Sequence, residues 1–306
     1  MVARTNTPLV SIVTPSYNQA EFLAATLDSM LAQDYPNIEY IVIDDGSTDS
    51  TPDVLKSYTG RVNWERHANV GQSRTLNKAW ANARGEFFGY LSSDDLLLPH
   101  AISTLVAALQ RHPDALVAYC DFDLIDGKGR RTGAVRSPDY DYRRMVEELI
   151  CPPGPGALFR RSLFDRIGGW NENLRKIPDL EYWLRAGRIG SFIRVPEVLA
   201  QYRVHEESTA IRPIPIERSM EIVETVRAYW AGETSATART SFASAHLGAA
   251  RSHAQSGRVV AALGEFRRSI SYRPKNLVSV SAWRKLLSGF AMRFASRFGR
   301  LSAMLR

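Results

Sequence analysis

Two pairs of adjacent aspartates, each following an apolar strand-like run, constrain this chain more than any other feature. The run Ile38–Ile43 leads into Asp44-Asp45-Gly46-Ser47, and Phe87–Leu91 leads into Ser92-Ser93-Asp94-Asp95. Both runs sit in a first half that alternates between strand and helix periods. Leu9–Pro15 is a short β-branched run, and Glu21–Gln33 repeats apolar residues at helical spacing through Phe22, Leu23, Leu27, Met30 and Leu31. A helix is expected from Thr48 or Asp49, with Pro52 tolerated in its first turn. Val62–Glu65 is a weak strand, Gly71–Arg84 a helix, Pro99 opens another helix to Gln110, and Leu116–Phe122 is a further strand. Strands alternating with helices predict an α/β fold with a mainly parallel sheet covered on both faces. Ligands of such sheets bind at the carboxyl ends of the strands, where both aspartate pairs fall. A single aspartate there would be read as a cap or turn residue; two pairs at equivalent positions argue for a site.

The pattern then weakens. Residues 123–159 read as irregular, and the Cys151-Pro152-Pro153-Gly154-Pro155-Gly156 run cannot be a central strand. Ser162–Ile167 is a short helix, Pro178–Arg188 is helical, and Ser191–Val195 and Val198–Val204 read as two late strands. From about Pro215 the pattern is helical.

Charge divides the chain at the same place. The formal net charge of +7 is a sum of opposites: residues 1–209 carry 23 Lys/Arg and 27 Asp/Glu, residues 210–306 carry 16 and 5. The first part needs no polyanionic partner, and no aromatic-interleaved reader motif accompanies the basic part, so nucleic acid is not expected. Two cysteines, Cys120 and Cys151, cannot staple 306 residues and form no CxxC motif; free thiols in a reducing compartment are expected. No signal-peptide pattern or apolar stretch of transmembrane length is found, which predicts a cytoplasmic location.

The segments SIVTPSYNQAEFLAATLDSMLAQDYPNIEYIVIDDGSTDST, NVGQSRTLNKAWANARGEFFGYLSSDD, GALFRRSLFDRIGGWNENL, PDLEYWLRA and YRVHEES, in this order, resemble family 2 glycosyltransferases. The resemblance covers roughly residues 8–209. It implies the GT-A fold, a Rossmann-like sheet flanked by helices, as one domain over 1–209. It also implies inverting transfer of a hexosyl or N-acetylhexosaminyl group from a nucleotide diphosphate sugar to a glycan or lipid-linked acceptor hydroxyl, in surface polysaccharide or glycolipid assembly.

The resemblance assigns roles residue by residue. Asp94 and Asp95 match the DxD-like segment that holds Mg2+ or Mn2+. One of them is expected as the direct ligand and the other on ribose or metal-bound water, in no fixed order. Ser92 stands where an acid is commoner, and His205 matches a further metal ligand. Pro15, Tyr17, Asp45, Gly71, Asn77 and Asp94 match nucleotide-sugar positions, with Asp45 accepting from a uracil N–H, which favours UDP. Asp44 is expected to buttress its own loop, Arg74 to reach a phosphate or solvent, and Gly154–Ala157 to lie under the donor sugar. Asp179 matches the general base, with Glu181 the alternative; Pro178 replaces the usual preceding acid. Proton removal from the acceptor hydroxyl is what a carboxylate there would do.

Residues 210–306 lie outside the resemblance and are expected to be a helical extension. Residues about 240–275 resemble one tetratricopeptide-type hairpin through Ala250, Gly257, Ala262, Phe266 and Pro274. They read as a plain helical hairpin rather than a peptide-binding module. From about 277 to 306, Trp283, Leu286, Leu287, Phe290, Phe294, Phe298, Leu301 and Leu305 repeat at helical spacing. Arg284, Lys285, Arg293, Arg297, Arg300 and Arg306 are unopposed by any acid there. A basic amphipathic helix suits an anionic membrane surface, here the inner face of the plasma membrane. The runner-up reading is an idle sugar-nucleotide-binding scaffold, kept open by Ser92 and Pro178. A nucleotidyltransferase is disfavoured because TPSYN, not a glycine-rich basic loop, follows the first strand, and a dinucleotide oxidoreductase because GxGxxG is missing there.

Overall fold

The computed structural model describes residues 7–205 and 215–304, with side chains to 294. It divides into two compact units that are not contiguous in sequence. Of the described residues, the first comprises those up to 140, 151–172 and 182–205, and the second 141–150, 173–181 and those from 215 onward. The expected boundary at 209 lies outside the described residues. Two earlier stretches nonetheless group with the helical region.

The first unit is built on one nine-stranded sheet. At its centre β1 (Val10–Ser16) is buried along its whole length, as an apolar run covered on both faces must be. It pairs in parallel with β2 (Ile38–Asp44) and β4 (Phe87–Tyr90), and β2 pairs in parallel with β3 (Asn63–Arg66). Between them run α1 (Ala20–Leu31), α2 (Thr51–Ser57) and α3 (Gln72–Asn82). In α1 the buried residues Phe22, Leu23, Thr26, Leu27 and Met30 form one helical face. Beyond β4 the sheet becomes mixed. After the two-residue β5 (Leu96–Leu97) and α4 (Ala101–Arg111) comes the long β6 (Ala115–Ile125). Next are β7 (Arg131–Val135), α5 (Tyr142–Glu148), β8 (Leu158–Arg160), α6 (Arg161–Ile167), α7 (Pro178–Gly187) and β9 (Ser191–Arg203). The short β8 inserts antiparallel between β4 and β6, while β9 runs parallel to β6 and antiparallel to β5.

Two expectations are corrected here. Residues 123–159 hold β7, α5 and the start of β8 rather than only irregular chain. The two late strands are one strand, β9, whose pairing to β6 shifts register around Cys120–Phe122, opposite Val195 and Val198. Pro196 lies inside that break, where a strand tolerates a missing N–H. A core of Val10, Phe87, Leu105, Leu109, Ala118 and Leu158, with its neighbours, packs α4 against the sheet.

The second unit holds α5, α8 (Ile216–Trp230), α9 (Ala236–Gln255), α10 (Val259–Tyr272), a 3-10 turn at Pro274–Leu277 and α11 (Val280–Met304). Alanine-rich α9 is central: Ala250 and Ala254 face Ala262 and Phe266 of α10 and Ala282 and Leu286 of α11, while Ala245 and Ala249 face Val223 and Val226 of α8. Small residues let three helices approach one. The pairs His246–Glu265 (2.6 Å), Ala243–Ser269 (2.8 Å) and the stacked Phe242–Tyr272 climb α9 as they descend α10, so the two form an antiparallel hairpin. The single apolar face expected of α11 is split. Leu286 is buried and Phe290 half-buried on the α9–α10 side, and Trp283, 40% exposed, rests its ring on Phe266 of α10, whereas Leu287 and Phe294 are exposed by 57% and 60%. The positions of Phe298, Leu301, Leu305, Arg297, Arg300 and Arg306 lie outside the described side chains. Among the described residues no helix is long and apolar enough to cross a membrane. Cys120 is buried and Cys151 exposed, and neither is in a disulfide.

Candidate functional site

The carboxyl ends of β1, β2, β4 and β9 gather most of the residues expected to act. The β1 and β2 loops are tied to each other. Asn18, at φ 53°, accepts from Thr48 N (2.8 Å) through its amide oxygen and donates its own N–H to Ser47 Oγ (2.9 Å). Pro15 and Ser16 close β1 and are buried, and Tyr17 follows with 46% of its surface exposed.

The two aspartates after β2 do structural work at opposite sides of one turn. Asp44 accepts from Ser47 N (2.8 Å) and pairs with Arg66 Nε (3.1 Å), the buttressing role expected of it. Asp45, only 3% exposed, accepts from the backbone N–H groups of Val70 (2.7 Å) and Gly71 (2.8 Å), one on each carboxylate oxygen. It is therefore the brace of the Asn69-x-Gly71 loop. Carboxylate oxygens keep further lone pairs, so the brace can also accept from a ligand. Gly46, at φ 76°, has no room for a side chain: a Cβ there would lie 2.6 Å from Asn69 N. Gly71 opens α3 at φ 90°, ψ 153°, a region essentially reserved for glycine.

Asn77 faces the chain itself. Its amide makes reciprocal 2.8 Å bonds with the backbone of Trp170 and reaches Glu172 (3.2 Å), and Arg74 pairs with Glu172 at 3.0 Å. These side chains fix the Gly168–Glu172 segment on α3. Gly154 and Gly156 lie against Phe122 and Leu97, so their loop rests directly on the sheet.

After β4 the two aspartates diverge. Thr26 Oγ1 lies 2.9 Å from both Ser93 O and Asp95 O, and so clamps the turn to α1. Asp95 is buried and accepts from Arg203 N (2.9 Å). Burial, with the neighbouring Asp94 charge, pushes its carboxyl well above the usual carboxylate range, opposed in part by the Arg203 N–H and charge. Asp94 has a 21% exposed side chain, and its Oδ2 stands 3.1 Å from His205 Nε2 at the end of β9. The His205 ring packs on Phe22, with ring centroids 4.6 Å apart. The two atoms contact each other, and a carboxylate oxygen and an imidazole nitrogen are both donor types that a divalent cation takes, with other positions left to phosphate and water. Among the described residues no group of three or more His, Cys, Asp or Glu side chains could hold an ion alone.

The sequence reading missed Arg203. Its Nε donates to Asp94 O (2.8 Å), Nη1 to Asp126 O (3.1 Å), and its guanidinium lies 4.9 Å from the Phe22 ring centroid. One arginine thus sets both aspartates and the edge of α1. The signal was available: Arg203 closes β9 two residues before His205, inside the YRVHEES segment already singled out. Asp121 was also missed. It is fully buried on β6 and held bidentately by Arg194 (3.0 and 2.9 Å), which locks β6 to β9. Asp179 and Glu181 are both half-buried in the first turn of α7, within the 173–181 stretch of the second unit.

With this geometry in place the comparisons decide the family. Residues 11–168 match the sequence profile described as glycosyl transferase family 2. The chain belongs to that family. An uncharacterized glycosyltransferase of Rickettsia typhi is 33% identical over 240 residues, covering 76% of this chain and 73% of the relative. Other rickettsial relatives are spanned over 30–66% of their length. S. aureus TarS 1–349 in complex with UDP superposes with a TM-score of 0.64 at 20% identity, covering 95% of this chain and 92% of that one. The mannosyltransferase PcManGT of Pyrobaculum calidifontis, in complex with GDP-Man and Mn2+, gives 0.58 at 19% identity, covering 98% and 84%. These likenesses establish the GT-A-type fold.

Proposed function

We propose that this glycosyltransferase moves a sugar, with inversion, from a nucleotide diphosphate sugar to an acceptor hydroxyl, and that Asp94 and His205 bind the divalent cation of the donor complex. The observation that carries the reading is the 3.1 Å approach of Asp94 Oδ2 to His205 Nε2 at the carboxyl ends of the strands, where ligands of such sheets bind. Asp94 is preferred over Asp95 because Asp95 is buried and turned to the Arg203 backbone. A cation held there would neutralise the charge of the departing nucleoside diphosphate. Tyr17 offers an exposed ring to the base, and Asp45 holds the loop beneath it and retains lone pairs for a uracil N–H, which favours UDP. Mg2+ or Mn2+ suits the donor set, and the Mn2+ bound by PcManGT supports the same choice.

In the transfer itself the acceptor oxygen bonds to the anomeric carbon and its proton passes to Asp179. The bond from that carbon to the diphosphate breaks, and the leaving group keeps the electron pair. The dipole of α7 favours an ionised Asp179, which is the form a base requires. The acceptor is a glycan or lipid-linked saccharide of surface polysaccharide or glycolipid assembly. The exposed Trp283, Leu287 and Phe294, beside Arg284 and with no acid from 277 onward, complement an anionic lipid surface and support peripheral docking there. The site is tested by single substitutions: Asp179→Asn and Asp94→Ala should each lower sugar transfer by about 100-fold or more. Transfer within a few-fold of wild type in both variants would remove the assignment.

A further inference from the structure

The turn that carries Asp94 is held from several sides. Ser92 O accepts from Asp95 N (3.1 Å), Ser93 O and Asp95 O each lie 2.9 Å from Thr26 Oγ1, and Asp94 O accepts from Arg203 Nε (2.8 Å). All four carbonyls of residues 92–95 are therefore engaged, and the one belonging to Asp94 is engaged by Arg203. The Arg203 backbone N–H adds its own bond to Asp95 Oδ1 (2.9 Å). Arg203 is 4% exposed, and a guanidinium so buried is unfavourable unless its N–H groups are bonded.

The far end of the guanidinium leaves this turn. Nη1 donates to Asp126 O (3.1 Å), in the turn joining β6 to β7, and lies 3.4 Å from Gly127 O. That turn is stiffened by its own aspartate: the Asp126 carboxylate accepts from Lys128 N and Arg130 N (2.9 Å each) and from Arg130 Nε (2.8 Å). The Phe22 ring bears both the Arg203 guanidinium, 4.9 Å from its centroid, and the His205 imidazole, whose centroid is 4.6 Å away. Arg203 thus reaches both members of the Asp94–His205 approach, the first through a backbone carbonyl and the second through a ring. Removing a group that orients a metal's donors lowers metal affinity by about 10- to 100-fold.

We propose that Arg203 is a positioning residue for the cation, fixing Asp94 and His205 against the β6–β7 turn, so that Asp126, which bonds to neither of them, tunes cation affinity through it. This inference deepens the proposed function and rests on it, because it takes Asp94 and His205 as the cation's donors.

Cation affinity, not turnover, tests it. Mn2+ is titrated into the full-length protein with UDP and, separately, GDP present, and bound Mn2+ is read from water-proton relaxation against protein-free blanks. Arg203→Lys keeps the charge and the backbone bond to Asp95 but loses the fork that reaches two turns at once. It should raise the Mn2+ Kd about tenfold or more, and Asp126→Ala, with Arg203 intact, should raise it by a smaller factor. Nucleotide affinity in EDTA should stay at the wild-type value in both. A merely structural role would lower the melting temperature in EDTA and leave the Mn2+ Kd of the folded protein unchanged. That result in Arg203→Lys overturns the proposal; if Arg203→Lys does not fold, as circular dichroism shows, the same result in Asp126→Ala overturns it. A raised Kd in Arg203→Lys with Asp126→Ala at the wild-type value upholds the arginine and overturns the part given to the turn. Asp94→Ala, run alongside, separates this inference from the proposed function. If Asp94→Ala loses Mn2+ and Arg203→Lys keeps it, this inference alone falls. If wild type binds no Mn2+, or Asp94→Ala binds it as wild type does, the cation site falls and the positioning role with it.

Discussion

Neighbouring residues of identical chemistry have been given different work by the groups the fold places beside them. Asp94 and Asp95 are equivalent in sequence, and the sequence left them unranked. The strand end exposes one toward His205 and turns the other to the Arg203 N–H. Asp44 and Asp45 divide in the same way between a turn and a loop brace. Such choices are set by which backbone N–H groups the fold brings near, and no local pattern encodes that. Lys176 shows the energetic side. An ammonium whose pKa falls on folding costs stability while it is charged. The cost is largest below about pH 8 and disappears as pH rises toward the unfolded value of 10.5. The groups acting on it are Ser252, Arg251, Arg258 and Glu221. Lys176→Met should therefore raise the melting temperature at pH 7, with the gain shrinking by pH 10. Thermal melts at the two pH values check this, and a lowered Tm at pH 7 would contradict it.

At the scale of elements, the parts with clear periodicity were legible and the parts fixed by pairing were not. From β1 through α4 the expected runs are followed closely, apart from the two-residue β5, because β1, β4, α1 and α4 each bury an apolar stripe of their own. Residues 123–159 concealed β7, α5 and β8 because β8 is three residues long and borrows its order from β4 and β6. Arg194 and Asp121 stitch β6 to β9 through a partnership 73 residues apart, which periodicity cannot show. The start of α3 is a sharper case. Gly71 at φ 90°, ψ 153° presents its N–H to Asp45, so Gly71→Ala should cost about 1–3 kcal/mol and weaken donor binding together. Chemical denaturation and nucleotide-sugar titration of that variant measure both, and an unchanged midpoint would refute the strain. The sequence pattern of α11 was right in period but wrong in allotment, since Leu286 and half-buried Phe290 serve the hairpin core. What remains outside is Leu287, Phe294 and the uncovered part of Trp283, and the full-length protein should co-sediment with anionic liposomes at low salt and release at high salt. Failure to co-sediment at low salt would exclude membrane docking.

For the whole molecule, the net charge of +7 conceals an acidic transferase region and a basic helical one. The compact units cut across that division. Residues 173–181, which carry Lys176 and Asp179, group with the helices rather than with the donor loops. The family was legible from ordered motifs. The grouping was not, because compactness depends on contacts between stretches far apart in sequence. The central claim is catalysis by a cation-assisted donor site, and release of nucleoside diphosphate measures it most directly. A panel of UDP- and GDP-sugars is incubated with the protein in Mn2+ and in EDTA, with Asp94→Ala alongside. The account predicts that at least one donor is turned over in Mn2+, and that release falls by about 100-fold or more in EDTA and in Asp94→Ala. Turnover undiminished by EDTA and by loss of Asp94, or no turnover of any donor, would contradict it.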